Sequence, residues 1–192
     1  MFNKDYYINS TISNYTDYRE KKFIGLANDL YPYVKNKSVL DYGAATGAFM
    51  KELINMGVFC MGTDISYWAV DFGVKHYKLG KRLLHYNISL LGEDFDVVLF
   101  LDVLEHIPFE ELNYVLDLLH ALQVIVRIPV SAKEGEDFVL DVSKNDKTHI
   151  QIHPKEWWFA LFEKHGYNNF TPLNEENIYD SEGVLAGVLR RE

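Results

Sequence analysis

Residues 38–53, S-V-L-D-Y-G-A-A-T-G-A-F-M-K-E-L, restrict the possible folds of this chain more than any other stretch. Val39 and Leu40 read as the end of a buried strand, and Asp41 sits at its C-terminal end. A loop of small residues follows, Gly43, Ala44, Ala45, Thr46 and Gly47. Phe49, Leu53 and Met56 then recur at helical spacing, with Met50 and Ile54 beside them. Strand, small-residue turn and helix in that order make a nucleotide-sized site in an open α/β sheet. Glycine lets the backbone approach a ligand closely, and a helix N-terminus offers unpaired N–H groups.

The remaining chain repeats this alternation. Asp17 and Glu20 mark a helix start, and Phe23, Leu26, Ala27, Leu30 and Val34 give it an apolar face that Pro32 disturbs near the end. Val58 to Thr63 predicts a second strand ending at Asp64, and Ser66 is placed to cap a helix running to about Tyr77. A weaker strand is expected over Arg82 to Tyr86. Phe95 to Leu101, F-D-V-V-L-F-L, predicts a central strand buried on both faces. Pro108 opens a helix carrying Phe109, Leu112, Val115, Leu116 and Leu119, and Val124 to Ile128 is a further strand. Pro154 opens the last helix, which Gly166 ends. Asn169 to Pro172 and Gly183 to Leu189 have no helix between them and must form a hairpin. The expectation is an α/β fold, a Rossmann-like doubly wound sheet with one antiparallel strand.

Two segments stand outside the rhythm. Residues 1–16 are polar and tyrosine-rich and read as an N-terminal arm. Residues 131–152 exceed the two to six residues usual between α/β elements and read as an inserted substrate-side loop. At 192 residues, the whole chain, 1–192, is expected to form a single domain. Net charge is −9 with no clustered Lys or Arg, which argues against a nucleic-acid partner. No run approaches the length of a membrane span and no signal-peptide core opens the chain, so no membrane partner and a cytoplasmic location are expected. Cys60, the only cysteine, lies in an apolar run as a small hydrophobe, so no intrachain disulfide is possible. The 13 tyrosines and 12 phenylalanines are enough for an aromatic wall around a ligand, but only positions can decide it.

Asp41, Asp64 and Asp102 end or follow successive strands, where ligands bind in an open parallel sheet. Asp64 follows Asp41 by 23 residues, close to the ~20-residue offset at which an acid holds ribose hydroxyls. A dinucleotide fingerprint would put glycine at positions 43, 45 and 48, but Ala45 and Ala48 stand at two of them. The spacing Asp41, Gly43, Ala45, Gly47 instead resembles the first motif of the class I S-adenosylmethionine-dependent methyltransferases, in the small-molecule branches. T-D-I-S at 63–66, F-D-V-V-L-F-L-D-V-L-E-H-I at 95–107, I-V-R-I-P-V at 125–130 and D-K-T-H-I at 146–150 followed by W-W-F-A-L-F-E-K-H-G-Y resemble its later motifs, in order, from about Tyr18 to Leu189.

The resemblance implies a seven-stranded sheet in order 3-2-1-4-5-7-6 with strand 7 antiparallel, and S-adenosylmethionine as cofactor. It implies that backbone at Gly43, Ala45 and Gly47 passes the methionine part, that Asp41 helps hold the ammonium, and that Asp64 accepts the ribose hydroxyls with Ile65 on the adenine. Asn87 and Ile88 occupy the loop that reads the adenine amine; many relatives carry Asp where Asn87 stands. Leu101 and Asp102 lie near the sulfonium, and Tyr15 or Tyr18 with Arg19 reaches the carboxylate. The function implied is methyl transfer to a hydroxyl, less readily an amine, of a small molecule or saccharide; the alternative is a binding protein for S-adenosylmethionine or S-adenosylhomocysteine without turnover.

Transfer from a sulfonium is an in-line displacement that needs chiefly alignment, and a base only for a protonated acceptor. His149 is the expected base, with Asp102 beside the reacting centre; His153 reads as a helix-start residue. Asp102, Glu105 and His106 form an acid-x-x-acid-His cluster resembling the E-x-x-E-H metal site of ubiquinone-pathway O-methyltransferases. Since V-L-E-H also occurs in relatives without metal, no metal is expected, and these three are the set if one binds. Trp157 and Trp158 point about 100° apart, so one is expected in the core.

Overall fold

A computed structural model describes residues 2–8 and 20–191. Two helices, α1 (Lys4–Ile8) and α2 (Glu20–Val34), precede the sheet. The alternating part runs β1 (Ser38–Tyr42), α3 (Ala48–Asn55), β2 (Phe59–Asp64), α4 (Tyr67–His76), β3 (Leu83–His85), β4 (Val97–Leu101), α5 (Phe109–Asp117) and β5 (Gln123–Pro129). It continues through α6 (Asp141–Asn145), α7 (Lys155–Lys164), β6 (Tyr167–Pro172) and β7 (Val184–Arg191).

The seven strands form one sheet in the order β3-β2-β1-β4-β5-β7-β6. β1 to β5 are parallel, and β7 runs antiparallel to both β5 and β6. The sheet order is therefore the one expected. Along β4, Val98 and Phe100 face one core and Val97 and Leu99 the other, as strand alternation requires. The first core takes Leu112 and Leu116 of α5 and Trp158 and Phe162 of α7; the second takes Leu26 and Leu30 of α2 and Phe49 and Leu53 of α3. Val97 to Phe100 are buried on both faces because helices cover both, while Asp96 is exposed.

Three local features add detail to the expected fold. Pro32 lies inside α2, two residues before its end. It has no N–H to continue the ladder, and the helix stops within the same turn. The N-terminal arm contains the helical turn α1, with Tyr7 buried. The 131–152 segment contains α6 and is fastened behind the turn after β4. The Ile150 and Gln151 N–H groups donate to the Glu105 carbonyl at 2.9 and 3.0 Å, and Gln151 Nε2 donates to the Ile107 carbonyl at 2.9 Å. Cys60 is fully buried, and burial pushes its thiol pKa up, consistent with a packing role.

The helix after β2 lies directly on the loop after β1. Ser66 caps α4, its side chain accepting from the Ala69 N–H at 3.2 Å. At Gly73, a Cβ would collide with the Thr46 carbonyl oxygen of that loop. Backbone cannot yield as a flexible side chain can, so Gly73→Ala is expected to push α4 off the loop. The expected cost is about 1–3 kcal/mol, a fall of about 2–10 °C in melting midpoint. An unchanged midpoint in differential scanning calorimetry would show that this approach is looser than described.

Candidate active site

A cavity of about 290 Å³ opens at the C-terminal ends of β1, β2 and β4. Gly43, Ala45, Asp64 and Ile65 form its β1–β2 side, and Ile88 adds the loop after β3. Asp102, Val103, His106 and Pro108 form its β4 side, with Glu111 and Tyr114 from α5. Phe2, Tyr6 and Tyr7 approach from α1 and its start.

Asp64 organises the first side. Its Oδ2 accepts from the Ala45 N–H and its Oδ1 from the Ser66 N–H, both at 2.7 Å. The Gly43 and Ala44 N–H groups donate to the Thr63 carbonyl at 2.9 and 3.0 Å. One residue pair at the end of β2 thus closes the small-residue loop. Gly43 has φ +82, and a Cβ there would collide with Val103, so a side chain is excluded on both counts. Ala45 holds φ 51 without being glycine, and its bond to Asp64 supports that conformation. Burial raises the Asp64 pKa above the usual carboxylate range even though the Ser66 and Ala45 N–H groups favour the anion.

The other residues singled out on this side divide. Asp41 is 4% exposed and does not line the cavity. Burial, and then the nearby Asp64 charge, push its pKa up to about 7. Gly47 starts α3 with φ 71 under the Leu79 side chain. Asn87 orders its own loop: its N–H donates to Thr63 Oγ1 at 2.8 Å and its Oδ1 accepts from Ser89 at 2.7 Å. Leu101 packs in the core among its β4 neighbours rather than on the cavity. Tyr15, Tyr18 and Arg19 lie outside the described residues.

On the β4 side, Asp102 takes a left-handed backbone, φ 58, and grips Arg127 with both oxygens, Oδ1 to Nε at 2.9 Å and Oδ2 to Nη2 at 2.5 Å. That pairing draws its carboxylate away from Glu105 and His106, so the expected trio does not assemble. His149 takes its place. One ligand atom each from Glu105, His106 and His149 lie within 4.8 Å of one another. The Nε2 atoms of both imidazoles are 3.9 Å from Glu105 Oε1. His106 Nδ1 donates to the Thr148 carbonyl at 3.1 Å and His149 Nδ1 to the Ser143 carbonyl at 3.0 Å. A carbonyl can only accept, so each Nδ1 carries the hydrogen and each neutral ring has its lone pair on Nε2. The Glu105 carboxyl is fully buried, and neither oxygen has a hydrogen-bond partner among the described residues. Burial, followed by the Asp102 charge, holds its pKa well above the usual range. Burial lowers both imidazole pKa values, and His149 lowers that of His106 further.

Of the two histidines only His106 lines the cavity. His149, the base expected from the sequence, stands behind it with ring centroids 4.7 Å apart, packed also against Phe138. No residue of 131–152 lines the cavity, so the insertion shapes it through His106 rather than directly. His153 stacks on Trp157 at 3.7 Å, and Trp158 is fully buried; neither tryptophan touches the cavity. The wall that sequence reasoning missed is aromatic: Tyr6, Tyr7, Tyr42, Tyr86 and Tyr114 all line the cavity. Only the high tyrosine content hinted at it.

The family model described as "Methyltransferase domain" matches residues 15–172. No curated protein sequence matches closely enough to count as a relative. Among solved structures, a SAM-dependent methyltransferase from Archaeoglobus fulgidus superposes with a TM-score of 0.68 at 15% identity, covering 91% of this chain and 96% of that one. The N-terminal domain of EvdMO1, crystallised in the presence of SAH and D-fucose, gives 0.67 at 16% identity over 94% and 86%. Magnesium protoporphyrin IX methyltransferase from Synechocystis PCC 6803 with bound SAM gives 0.58 at 17% identity over 90% and 79%. With a family match over most of its length and the seven-stranded sheet that goes with it, the chain belongs to the class I S-adenosylmethionine-dependent methyltransferases.

Proposed function

We propose that the protein moves the methyl group of S-adenosylmethionine to a hydroxyl, less readily an amine, of a small molecule or saccharide. The observation that carries this reading is that Asp64 and the imidazole of His106 line one cavity. The carboxylate suits a ribose diol, with Ile65 and Ile88 as apolar surfaces for adenine. The backbone at Gly43 and Ala45 is the path for the methionine portion; Gly47 and Asp41, assigned to the same portion from the sequence, do not line the cavity. The SAH and D-fucose reported for the EvdMO1 neighbour agree with a saccharide-sized acceptor.

The chemistry asks for alignment and one proton acceptor. His106 supplies the acceptor: its Nδ1–H is fixed, and its lowered pKa leaves Nε2 unprotonated at neutral pH. His149 becomes a positioning residue behind His106. Asp102, expected to be catalytic, lines the cavity with its charge paired to Arg127.

The orphaned Glu105 carboxyl favours a second reading of the same site. A divalent ion held by Glu105, His106 and His149 would keep Glu105 ionised and lower the pKa of an acceptor hydroxyl. In that reading the imidazole nitrogens would hold the ion and would not take the proton.

Three outcomes are expected. In calorimetric titrations, S-adenosylhomocysteine binds, NAD does not, and Asp64→Ala abolishes binding; the reverse preference would discard the cofactor assignment. In a methyl-acceptor screen with labelled cofactor, His106→Gln lowers turnover by about 10²-fold with cofactor affinity retained, and in the parent chain kcat/KM falls only on acidification below the usual imidazole range. Insensitivity to chelators goes with the base reading. Loss on chelation, with one bound metal measured per chain and a raised melting midpoint on its return, goes with the metal reading. Cofactor binding with no acceptor in any screen would mean a protein without turnover.

Asp41 gives the third outcome. Its folded pKa, about 7, lies above the unfolded value. Its contribution to stability is therefore fully present below pH ~4 and lost as pH rises through 7. Asp41→Asn should match the parent at pH 4 and exceed it at pH 8 in the cofactor-free state, by at most about 4 kcal/mol. A gap that shrinks as pH rises would mean that Asp41 is ionised and well paired.

A further inference from the structure

The N-terminal helix α1 lies across both halves of the cavity, and its contacts fall on the acids that matter there. The Tyr7 hydroxyl donates to Asp64 Oδ1 at 3.4 Å, and its ring is 3% exposed. That ring stacks on Trp68 at 5.7 Å, and Trp68 stacks on Phe72 at 5.3 Å along α4. One residue earlier, the Tyr6 hydroxyl donates to Asp146 Oδ2 at 3.0 Å. Asp146 accepts from the Thr148 hydroxyl at 2.6 Å, and Thr148 holds the Nδ1 side of His106. Phe2 meets the His106 ring edge-on at 5.3 Å. One helical turn thus joins Asp64 to the network that orients His106.

The acceptor capacity of Asp64 makes this more than packing. A carboxylate offers two acceptor positions on each oxygen. Among the described residues, on Oδ1 the Ser66 N–H takes one and the Tyr7 hydroxyl the other; on Oδ2 the Ala45 N–H takes one and one remains. A vicinal diol binding a carboxylate through both hydroxyls needs one position on each oxygen. The backbone N–H groups are built into the loop and cannot withdraw. The position within reach of change on Oδ1 is the one held by Tyr7.

We propose that Tyr7 is a built-in occupant of the donor site, that the ribose diol of the cofactor displaces its hydroxyl from Asp64, and that α1 then swings as a unit, releasing Tyr6 from Asp146. This rests on the assignment of Asp64 to the ribose in the preceding section. The cofactor-free protein is latched at both ends by neighbouring hydroxyls. Cofactor entry breaks one contact and loosens the other, opening the β4 side to the acceptor only after the donor is seated. The two hydroxyls sit on consecutive residues of a single turn, so one cannot travel far without the other.

The test uses the full chain and calorimetric titration with S-adenosylhomocysteine, adenosine and 2′,3′-dideoxyadenosine. Tyr7→Phe keeps the stacked ring and removes the competing hydroxyl. It should bind S-adenosylhomocysteine and adenosine about fivefold more tightly, the weight of one ordinary hydrogen bond, and dideoxyadenosine no differently. Tyr6→Phe, whose hydroxyl never touches Asp64, should also tighten S-adenosylhomocysteine, by a smaller factor. Hydrogen exchange over residues 4–8 should quicken on ligand binding. Unchanged or weaker binding by Tyr7→Phe, or slower exchange over 4–8, would overturn the latch and make α1 a cover that clasps the cofactor. A Tyr6→Phe variant that binds no more tightly would overturn the movement of α1 as a unit. If the parent chain binds no S-adenosylhomocysteine, the cofactor assignment itself falls, and this inference with it; if it binds and only the variants disagree, the assignment stands.

Discussion

The two hydrogen bonds from Ala45 and Ser66 to the Asp64 carboxylate hold the rest of the site in place. One fastens the small-residue loop after β1; the other sets the start of α4. Between them they bring two crossovers of the parallel sheet to a single side chain. The arrangement works only if the loop carries almost no side-chain bulk, which is why Gly43 is pressed by Val103 and Gly73 by the Thr46 carbonyl. Burying an acid in this way opposes its ionisation, and the aligned N–H groups offset that only in part. A carboxylate kept buried against that opposition is suited to a ligand that brings further hydroxyl donors.

What the sequence made legible follows from locality. The parallel sheet and its one antiparallel strand were readable because parallel neighbours need a crossover, whereas the segment joining β6 and β7 contains no helix; the strand order itself came from the family resemblance. Asp64, Gly43 and Ala45 were readable because loop closure at a strand end demands an acid and small residues at fixed offsets. The aromatic wall was not readable. Tyr7 meets an acid 57 positions away and Tyr6 one 140 positions away, and nothing in a short polar segment announces such partners. The exchange of His149 for His106 has a similar origin. The insertion looked like a loop over the site, but Ile150 and Gln151 bond to the Glu105 carbonyl. Those bonds carry His149 behind the turn and leave His106 in front. Asp102 lines the cavity, but its pairing with Arg127 was not readable, because Arg127 stands on the neighbouring strand, where sequence spacing cannot see it.

Glu105 and its two imidazoles form the least satisfied part of the interior. A buried carboxyl without a hydrogen-bond partner costs about 1–3 kcal/mol, whereas the buried Asp64 and Asp146 carboxyls have donors. The shell around the cluster, by contrast, is orderly: two backbone carbonyls fix both ring tautomers. Order in the surroundings with an omission at the centre is the pattern of a site prepared for something that arrives later. Two neutral nitrogens and a carboxyl aimed at each other suit a proton or a cation, and both proposed chemistries draw on that same geometry.

Asp146 ties this cluster to the cofactor side. Burial works against its charge, but the Thr148 hydrogen bonds, His149 and Tyr6 outweigh burial and hold its pKa below the usual range. The Thr148 hydroxyl donates to Asp146, so it can meet His106 Nδ1 only as an acceptor. The ionised Asp146 therefore supports the same His106 tautomer that the Thr148 carbonyl sets, with the hydrogen on Nδ1 and Nε2 left to act. Removing the Tyr6 bond would leave Asp146 its Thr148 and His149 partners, so the tautomer of His106 does not depend on α1. What α1 governs is access. Orientation of the acceptor-side imidazole and opening of the cavity are thus separable properties, set by different bonds to the same carboxylate.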